Sequence, residues 1–376
     1  MLARVASLVF TSVVLCAQEQ PSPSIDGLLS ATRISYSKGD YTSARASIEQ
    51  AWTLAQQSPK DDPKRYDVLK WFSASLSAAG DYATARDYIE LAIHWRETII
   101  GRTDPKLPGD LAELAMLCER LKEYPRALAI LEHVHALHVQ SGGEETAAVA
   151  DDLSHMAMVH MENHKPELAG DVLQQAIEIR QKLLGSENPA LLLELDRLAT
   201  IRILNREYEQ AEQTYRHALL IRERFEGKDD ADLISSVEGL AFALFGQKKY
   251  EEAEPNYRRL LGLWETSMGP DHAMVAVTLD KMAMFYREQA RWHESEEVAA
   301  RADGIRIRGL ANGLIQEANA QKALGDPQAA LRLYRQALDV LDPSGKENDE
   351  LRERIQDGIR EIVEGPDAKN AVGRAR

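Results

Sequence analysis

The chain is short of cysteine, the residue that can crosslink a fold or act as a nucleophile. Cys16 and Cys118 are the only two among 376 residues, and Cys16 lies in an apolar N-terminal segment. If that segment is removed, Cys118 stands alone and no disulfide can form. The helical, apolar surroundings of Cys118, without a recognisable His–Asp partnership, favour a buried small hydrophobe over a nucleophile. Stability must therefore come from packing.

Long apolar runs are scarce as well. Residues 5–15 form an apolar run of 11 residues, whereas a membrane-spanning helix needs about 20. The run follows Arg4 and ends before Cys16-Ala17, the pattern of a secretory signal peptide. We expect cleavage after Ala17, which makes residues 1–17 a signal peptide and the protein exported, either periplasmic or secreted. A lipid anchor at Cys16 and an uncleaved anchor are the alternatives, although Leu15 stands where lipid-attachment motifs have Gly, Ala or Ser.

Basic residues are fewer than acidic residues, and known catalytic motifs are missing. Lys and Arg number 45 against 60 Asp and Glu, for a formal net charge of −15. Phosphate binding needs clustered Lys and Arg, so a nucleic-acid partner is not expected. A protein or peptide partner with basic and apolar residues fits the charge better.

The chain also lacks G-x-G-x-x-G, G-x-x-x-x-G-K-[ST] and G-x-S-x-G, so we expect neither catalysis nor a cofactor.

What the sequence does contain is one interval of 42 residues. Five glycines follow this interval, namely Gly101, Gly143, Gly185, Gly227 and Gly269. A second column, which we call the slot, lies 19 residues before each glycine and extends beyond them. Its members are Tyr41, Tyr82, Tyr124, Pro166, Tyr208, Tyr250, Trp292 and Pro327. A fixed period between 20 and 50 residues is typical of a solenoid, whose long concave surface makes binding the default function.

Other columns keep the same register and predict helix pairs. Alanine recurs nine residues before the slot and three and ten residues after it, where closely packed helices need small side chains. The period-42 glycines suit the left-handed residue after a helix. Three residues further on lie candidate N-caps, namely Asp104, Thr146, Asn188 and Asp230, whereas the next repeat has His272 with Asp271 beside it. Helical periodicity without a strand pattern predicts an all-α fold of about eight helix pairs.

At this point the sequence resembles a known family. The segments KKYEEAEPNYRRLL (248–261), LGSENPALL (184–192) and MGPDHAMVA (268–276) resemble tetratricopeptide repeats of the 42-residue, kinesin-light-chain-like subclass. The resemblance implies a right-handed superhelix of antiparallel helix pairs over residues 25–342, with the first helix of each pair lining a groove for a peptide or protein. We expect a short linker at residues 18–24, a C-terminal capping helix at 346–364 and a disordered tail at 365–376.

The groove-facing positions predict an apolar trough with an acidic edge. The apolar candidates are Met116, Met158, Met161, Ile203, Phe242, Phe245 and Met284, and the acids at the repeat interval are Asp196, Glu238 and Asp280. Flexible thioethers adapt to varied partners, which supports a binding role. The alternative is that the apolar residues pack between helices and that the acids pair locally with Arg197 and Lys281.

Histidines are concentrated in one part of the chain. Six of the ten lie between residues 133 and 164, among them His160 and His164 at the i, i+4 spacing that can hold zinc. The segment HMENH lacks the glutamate of the zinc-protease motif, because Met161 occupies that position. Metal binding, pH sensing and ordinary polar packing therefore remain alternatives for this group.

These observations favour a non-catalytic exported scaffold that binds a protein or peptide in its groove. A structural assembly component using its end or convex faces is an alternative, as is a histidine-based regulator that responds to metal or pH.

Overall fold

The structure is a computed structural model that describes residues 24–225, 227, 231–341 and 348–364. The predicted signal peptide at residues 1–17, most of the predicted linker, the candidate cap Asp230 and the predicted tail at 365–376 lie outside these residues. The described residues form sixteen α-helices and no strand, which confirms the all-α prediction. They divide into two compact units, with the boundary between Lys165 and Pro166.

The first unit contains seven helices in chain order, each packed against the next. They are α1 (Ile25–Ser37), α2 (Tyr41–Ala55), α3 (Pro63–Ala78), α4 (Tyr82–Ile99), α5 (Leu107–Arg120), α6 (Tyr124–Gly142) and α7 (Ala147–Glu162). A continuous apolar core runs from Leu29 in α1 to Val159 in α7. This arrangement follows from the repeat, because each helix pair can bury its apolar side only against the next pair.

The second unit contains the other nine helices, also packed consecutively. They are α8 (Pro166–Leu184), α9 (Leu192–Leu204), α10 (Tyr208–Phe225), α11 (Ile234–Gly246), α12 (Tyr250–Met268), α13 (Ala273–Glu288), α14 (Trp292–Ala323), α15 (Pro327–Val340) and α16 (Asp349–Glu364). Short 3-10 turns at Pro189–Leu191 and Ala231–Leu233 lead into α9 and α11. Within each pair we call the first helix A and the second helix B, so that α9, α11 and α13 are A helices.

The columns read from the sequence have definite places in these helices. Every slot residue is the first residue of a B helix. The alanines of the three columns are buried, with Ala283 at 4% exposure the most accessible of them. A larger side chain there would separate the A and B helices, because interdigitated helices lie only 8–10 Å apart. The prediction that alanine marks close helix contact is confirmed.

Five turns between pairs begin with a glycine in the left-handed region, as predicted, whereas the turn between α2 and α3 contains no glycine. The five period-42 glycines have φ between 85° and 126°. Beyond them, Thr146 and Asn188 accept backbone hydrogen bonds as N-caps, and the predicted cap Asp104 accepts one from the Lys106 N–H. His272 itself caps α13 through Nδ1, so Asp271 is not needed in that role.

The seventh and eighth pairs differ from the expected separate helices. One continuous helix, α14, supplies both the B helix of the seventh pair and the A helix of the eighth. The next glycine of the period would fall at position 311, but Ala311 stands there and is buried inside α14. Without a residue suited to the left-handed region, the helix does not stop. The shorter slot spacing of 35 residues has the same origin.

The final helix covers the apolar end of the second unit. Leu351 and Ile355 of α16 are buried beside Tyr334 of α15, and Ile359 packs against the same cluster, so the predicted apolar edge forms. Gly358 lies directly against the Tyr334 ring, where a Cβ atom would be 2.5 Å from a ring carbon. Among the described helices, none combines the length and apolarity needed to cross a lipid bilayer.

Candidate partner-binding cavity

A cavity of about 570 Å³ lies in the second unit, between the A helices α9, α11 and α13 and above the B helices α10 and α12. Its volume is within the range of about 300–1,000 Å³ that is usual for ligand-binding clefts. Six of the residues predicted for the groove line it, namely Asp196, Ile203, Glu238, Phe242, Phe245 and Met284. The repeat brings them together because equivalent positions of successive A helices fall on one face.

The apolar wall of the cavity is open to solvent. Phe242 is 43% exposed and Met284 is 61% exposed, while Ile203 and Phe245 are half-buried beside them. Phe245 lies 6.0 Å from the Phe285 ring and 6.1 Å from the Tyr250 ring, measured between ring centroids, so packing fixes its orientation. Exposed aromatic and thioether groups in a concave site keep water in contact with apolar surface, and a partner's apolar side chain would release that water.

Two buried tyrosines form the floor of the cavity. Tyr215 of α10 and Tyr257 of α12 are 7% and 3% exposed, and both line the cavity. Burial, with a smaller contribution from the negative charge of Glu238, raises the pKa of Tyr257 to about 12, so its hydroxyl is neutral at physiological pH. Gly239 of α11 faces Tyr215, and a Cβ atom at this glycine would lie 2.1–2.5 Å from three ring carbons. The tyrosine ring therefore occupies space that any other residue at 239 would need.

The predicted acids are all engaged by cations. Arg222 of α10 donates two hydrogen bonds to Asp196, at 2.9 and 2.5 Å. Lys281 of α13 pairs with Glu238 and lines the cavity beside it, as the local-pairing alternative predicted. Asp280 pairs with Arg306 of α14.

These pairs change the expected character of the acidic edge. The cation of Asp196 is Arg222 from the neighbouring B helix, whereas Arg197 was the expected partner. Asp280 is not among the residues lining the cavity, so the three acids do not form one continuous edge of it. Because each carboxylate is largely neutralised by its partner, the attraction of the cavity for a basic segment is small.

The remaining predicted groove residues lie in the first unit. Met116 of α5 and Met158 of α7 are each 43% exposed, and Met161 of α7 is half-buried. None of the three belongs to the cavity, which is lined only by residues of the second unit.

Six further residues that line the cavity were not predicted as groove residues, namely Thr200, Tyr215, Ser235, Gly239, Tyr257 and Lys281. A signal for the two tyrosines was available. The position seven residues after the slot is Ile48, Ile89, Leu131 and Leu173 in the first four pairs but tyrosine in the fifth and sixth. Such a change within a buried column marks repeats whose surface differs from that of the others.

The histidine pair proposed for zinc does not share a helix face. Helix α7 ends at Glu162, and His164 lies beyond it in the turn with φ of 58°. The i, i+4 argument requires both residues on one helix, so this geometry is not formed. The described part of the chain also contains no group of three or more His, Cys, Asp or Glu side chains arranged to hold a metal ion.

The only cysteine among the described residues is buried, as predicted. Cys118 of α5 is fully inaccessible, and burial raises the pKa of its thiol to about 11. Since the thiolate is the reactive form, this cysteine is a packing residue.

A family profile matches part of this architecture. A tetratricopeptide repeat family profile matches residues 153–224 and 232–302, which include the cavity helices α9 to α13. No curated protein matches the chain.

Several solved structures are similar to the chain. A Podosopora anserina protein of nearly identical kinesin light chain TPR-like repeats is 19% identical, covers 55% of this chain and 97% of its own, with a TM-score of 0.46. BtubC from P. vanneervenii is 21% identical over 65% of this chain and 92% of its own, with a TM-score of 0.45. A tetratricopeptide repeat protein from Parabacteroides merdae is 17% identical over 78% of this chain and 99% of its own, with a TM-score of 0.43.

Tetratricopeptide repeats are generally non-catalytic scaffolds that bind protein or peptide partners. The family match includes the repeats that form the cavity, and the 42-residue register extends on both sides of the matched residues. The chain therefore contains tetratricopeptide repeats, and its 42-residue register resembles that of the kinesin-light-chain-like subclass.

Proposed function

We propose that the protein is an exported, non-catalytic scaffold that holds a segment of a partner protein in the cavity of its second unit. The observation that carries this proposal is the open apolar wall of Phe242 and Met284 above a tyrosine floor, set on three successive A helices. A side chain on the partner, such as leucine or phenylalanine, would bury itself there. Apolar anchors in well-formed pockets supply most of the energy in such interfaces.

Charge has a secondary part in this proposal. A Lys or Arg flanking the apolar anchor would meet the carboxylates of Glu238 and Asp280, whose side chains remain 32% and 46% exposed beside their cations. Exposed ion pairs contribute about 0–1 kcal/mol each. A basic flank would therefore adjust the affinity, and the apolar anchor would determine it.

The cavity proposal is tested by capture of the partner on immobilised protein. Phe242→Ala removes part of the wall, and we expect partner binding to weaken about 30-fold, corresponding to about 2 kcal/mol for a central anchor contact. Leu220→Ala is the matched control, because Leu220 of α10 is also apolar, 55% exposed and in the same unit but does not line the cavity. A partner that binds both variants as well as it binds the wild type would show that the cavity is not the contact.

Export is a separate part of the proposal and depends on residues 1–17. Intact-mass measurement of the protein recovered from the extracytoplasmic or secreted fraction should give a chain beginning at Gln18. A chain beginning at a lipid-modified Cys16 would support the anchor instead. Recovery of the unprocessed chain from the cytoplasm alone would contradict export.

A further inference from the structure

A column of cations at the 42-residue interval joins several B helices to neighbouring A helices. Its members include Arg96, Arg180, Arg222 and Arg306. Arg96 of α4 donates a hydrogen bond to Asp110 of α5 at 2.7 Å, and Arg180 of α8 pairs with Glu194 of α9. The acids Asp110 and Glu194 both lie 14 residues after their arginines. Position 264 of the same column is Trp264, so a cation is not present in every repeat.

Histidine takes the place of arginine in this column at α6. His138 lies 42 residues after Arg96 and 42 before Arg180, and its Nδ1 atom is 2.7 Å from Oδ2 of Asp152 in α7. Asp152 again follows its cation by 14 residues. The pair therefore has the position of the arginine pairs, with an imidazole in place of the guanidinium.

A second histidine ties the same helix to α5. Nε2 of His155 in α7 lies 2.7 Å from Oε1 of Glu119. Other contacts of this kind, between one A helix and the next, use lysine in this protein: Lys70 of α3 pairs with Glu113 of α5, and Lys281 pairs with Glu238. Histidine side chains thus join α7 to both α5 and α6 through carboxylate groups.

The charges around His155 favour its protonated form. Contact with the Glu119 carboxylate raises the pKa of His155 against the opposing effect of burial, with smaller contributions from Asp152 and Glu162. Burial raises the pKa of Asp152, whereas His138 and His135 lower it and Asp151 raises it. A histidine with a raised pKa stabilises the fold fully below the unfolded-state value near 6.5, and this stabilisation is lost as the pH rises through the folded-state value.

We propose that α7 is a pH-responsive helix, held against α5 by the contact of protonated His155 with Glu119 under mildly acidic conditions and more loosely held as the pH rises. Apolar packing of Met156 and Val159 against the first unit's core does not depend on pH, so α7 loosens without unfolding. The proposal concerns the first unit alone and does not depend on the cavity of the second.

Hydrogen exchange of the full-length protein tests this proposal. Protection factors, corrected for the intrinsic effect of pH, are measured for α7 at pH 5.5 and 8, with α3 as the internal reference because its pair with α5 uses Lys70. We expect the protection of α7 to fall about two- to fivefold at pH 8 relative to α3, as expected for the loss of one partly exposed ion pair.

Two variants of His155 separate the charge from the fold. His155→Lys supplies a permanent cation, and α7 should keep its acidic-pH protection at pH 8. His155→Gln supplies none, and α7 should exchange at the faster rate at both pH values. The proposal is overturned if wild-type α7 changes no more than α3 does, or if the pH dependence persists in the glutamine variant.

Discussion

The same substitution at two helical glycines should change stability in opposite directions. Gly239 of α11 and Gly262 of α12 both lie inside helices of the second unit. A Cβ atom at Gly239 would be 2.1–2.5 Å from the Tyr215 ring, whereas nothing lies within 4 Å of one at Gly262. Replacing each glycine with alanine therefore separates helix propensity from packing.

The magnitudes follow from these two environments. Alanine is favoured over glycine inside a helix by about 1 kcal/mol, so Gly262→Ala should stabilise α12 by up to about that amount. Gly239→Ala gains the same propensity but forces the Tyr215 ring to move, and overpacking of this kind costs about 1–3 kcal/mol. Tyr215 is 93% buried, so its ring has little free space. We expect a net loss of up to about 2 kcal/mol at Gly239.

Native-state hydrogen exchange of α11 and α12 measures these changes locally, which matters because a repeat array need not unfold in one step. The displaced ring would also enter the cavity that Tyr215 lines, so Gly239→Ala should weaken partner binding while Gly262→Ala should not. If hydrogen exchange becomes slower in both variants, the Tyr215 ring does not limit the side chain at position 239. The placement of Tyr215 in the floor of the cavity would then be wrong.

Three further predictions concern turns, acid stability and the free thiol. Ala290 has φ of 56°, so Ala290→Gly should relieve left-handed strain in the turn before α14. A urea titration should show a stabilisation of about 1 kcal/mol, whereas the control Ala320→Gly inside α14 should destabilise the helix by a similar amount. Burial raises the pKa of Glu212, but hydrogen bonds from its neighbours outweigh burial and lower the pKa to about 2. The free energy of unfolding of the second unit should therefore fall by about 2 kcal/mol as the pH falls from 5 towards 2, and Glu212→Gln should flatten that pH profile. Cys118 should resist a thiol reagent in the native protein and react on unfolding.

Each of these predictions has a clear contrary result. Equal effects of glycine at positions 290 and 320 would mean that the turn stores no strain. An unchanged acid profile in Glu212→Gln would assign the acid sensitivity to other carboxylates. Rapid native labelling of Cys118 would show that α5 opens readily.

Much of the fold follows from local rules that the sequence displays directly. The period glycines predict where helices end, the slot residues predict where B helices begin, and the three alanine columns predict where helices pack closely. These features depend only on backbone conformation and side-chain size. Even the fusion of two helices into α14 is readable from Ala311 in place of the period glycine. The left-handed residues inside the pairs are harder to predict, because only the first two and the last are glycine and the five between them are not. These five are Lys122, His164, Arg206, Lys248 and Ala290.

The sequence predicted only part of the site. Six of the ten predicted groove residues line the cavity, and the two tyrosines of its floor were not predicted. Which cation neutralises which acid depends on side chains 26 or 43 residues apart, as in Asp196 with Arg222 and Glu238 with Lys281. Such pairing is set by where helices cross in space, and periodicity does not encode it. The sequence thus determined the repeat and its helices through short-range sterics, and only the tertiary structure decided where an apolar cavity opens and how its charges are compensated.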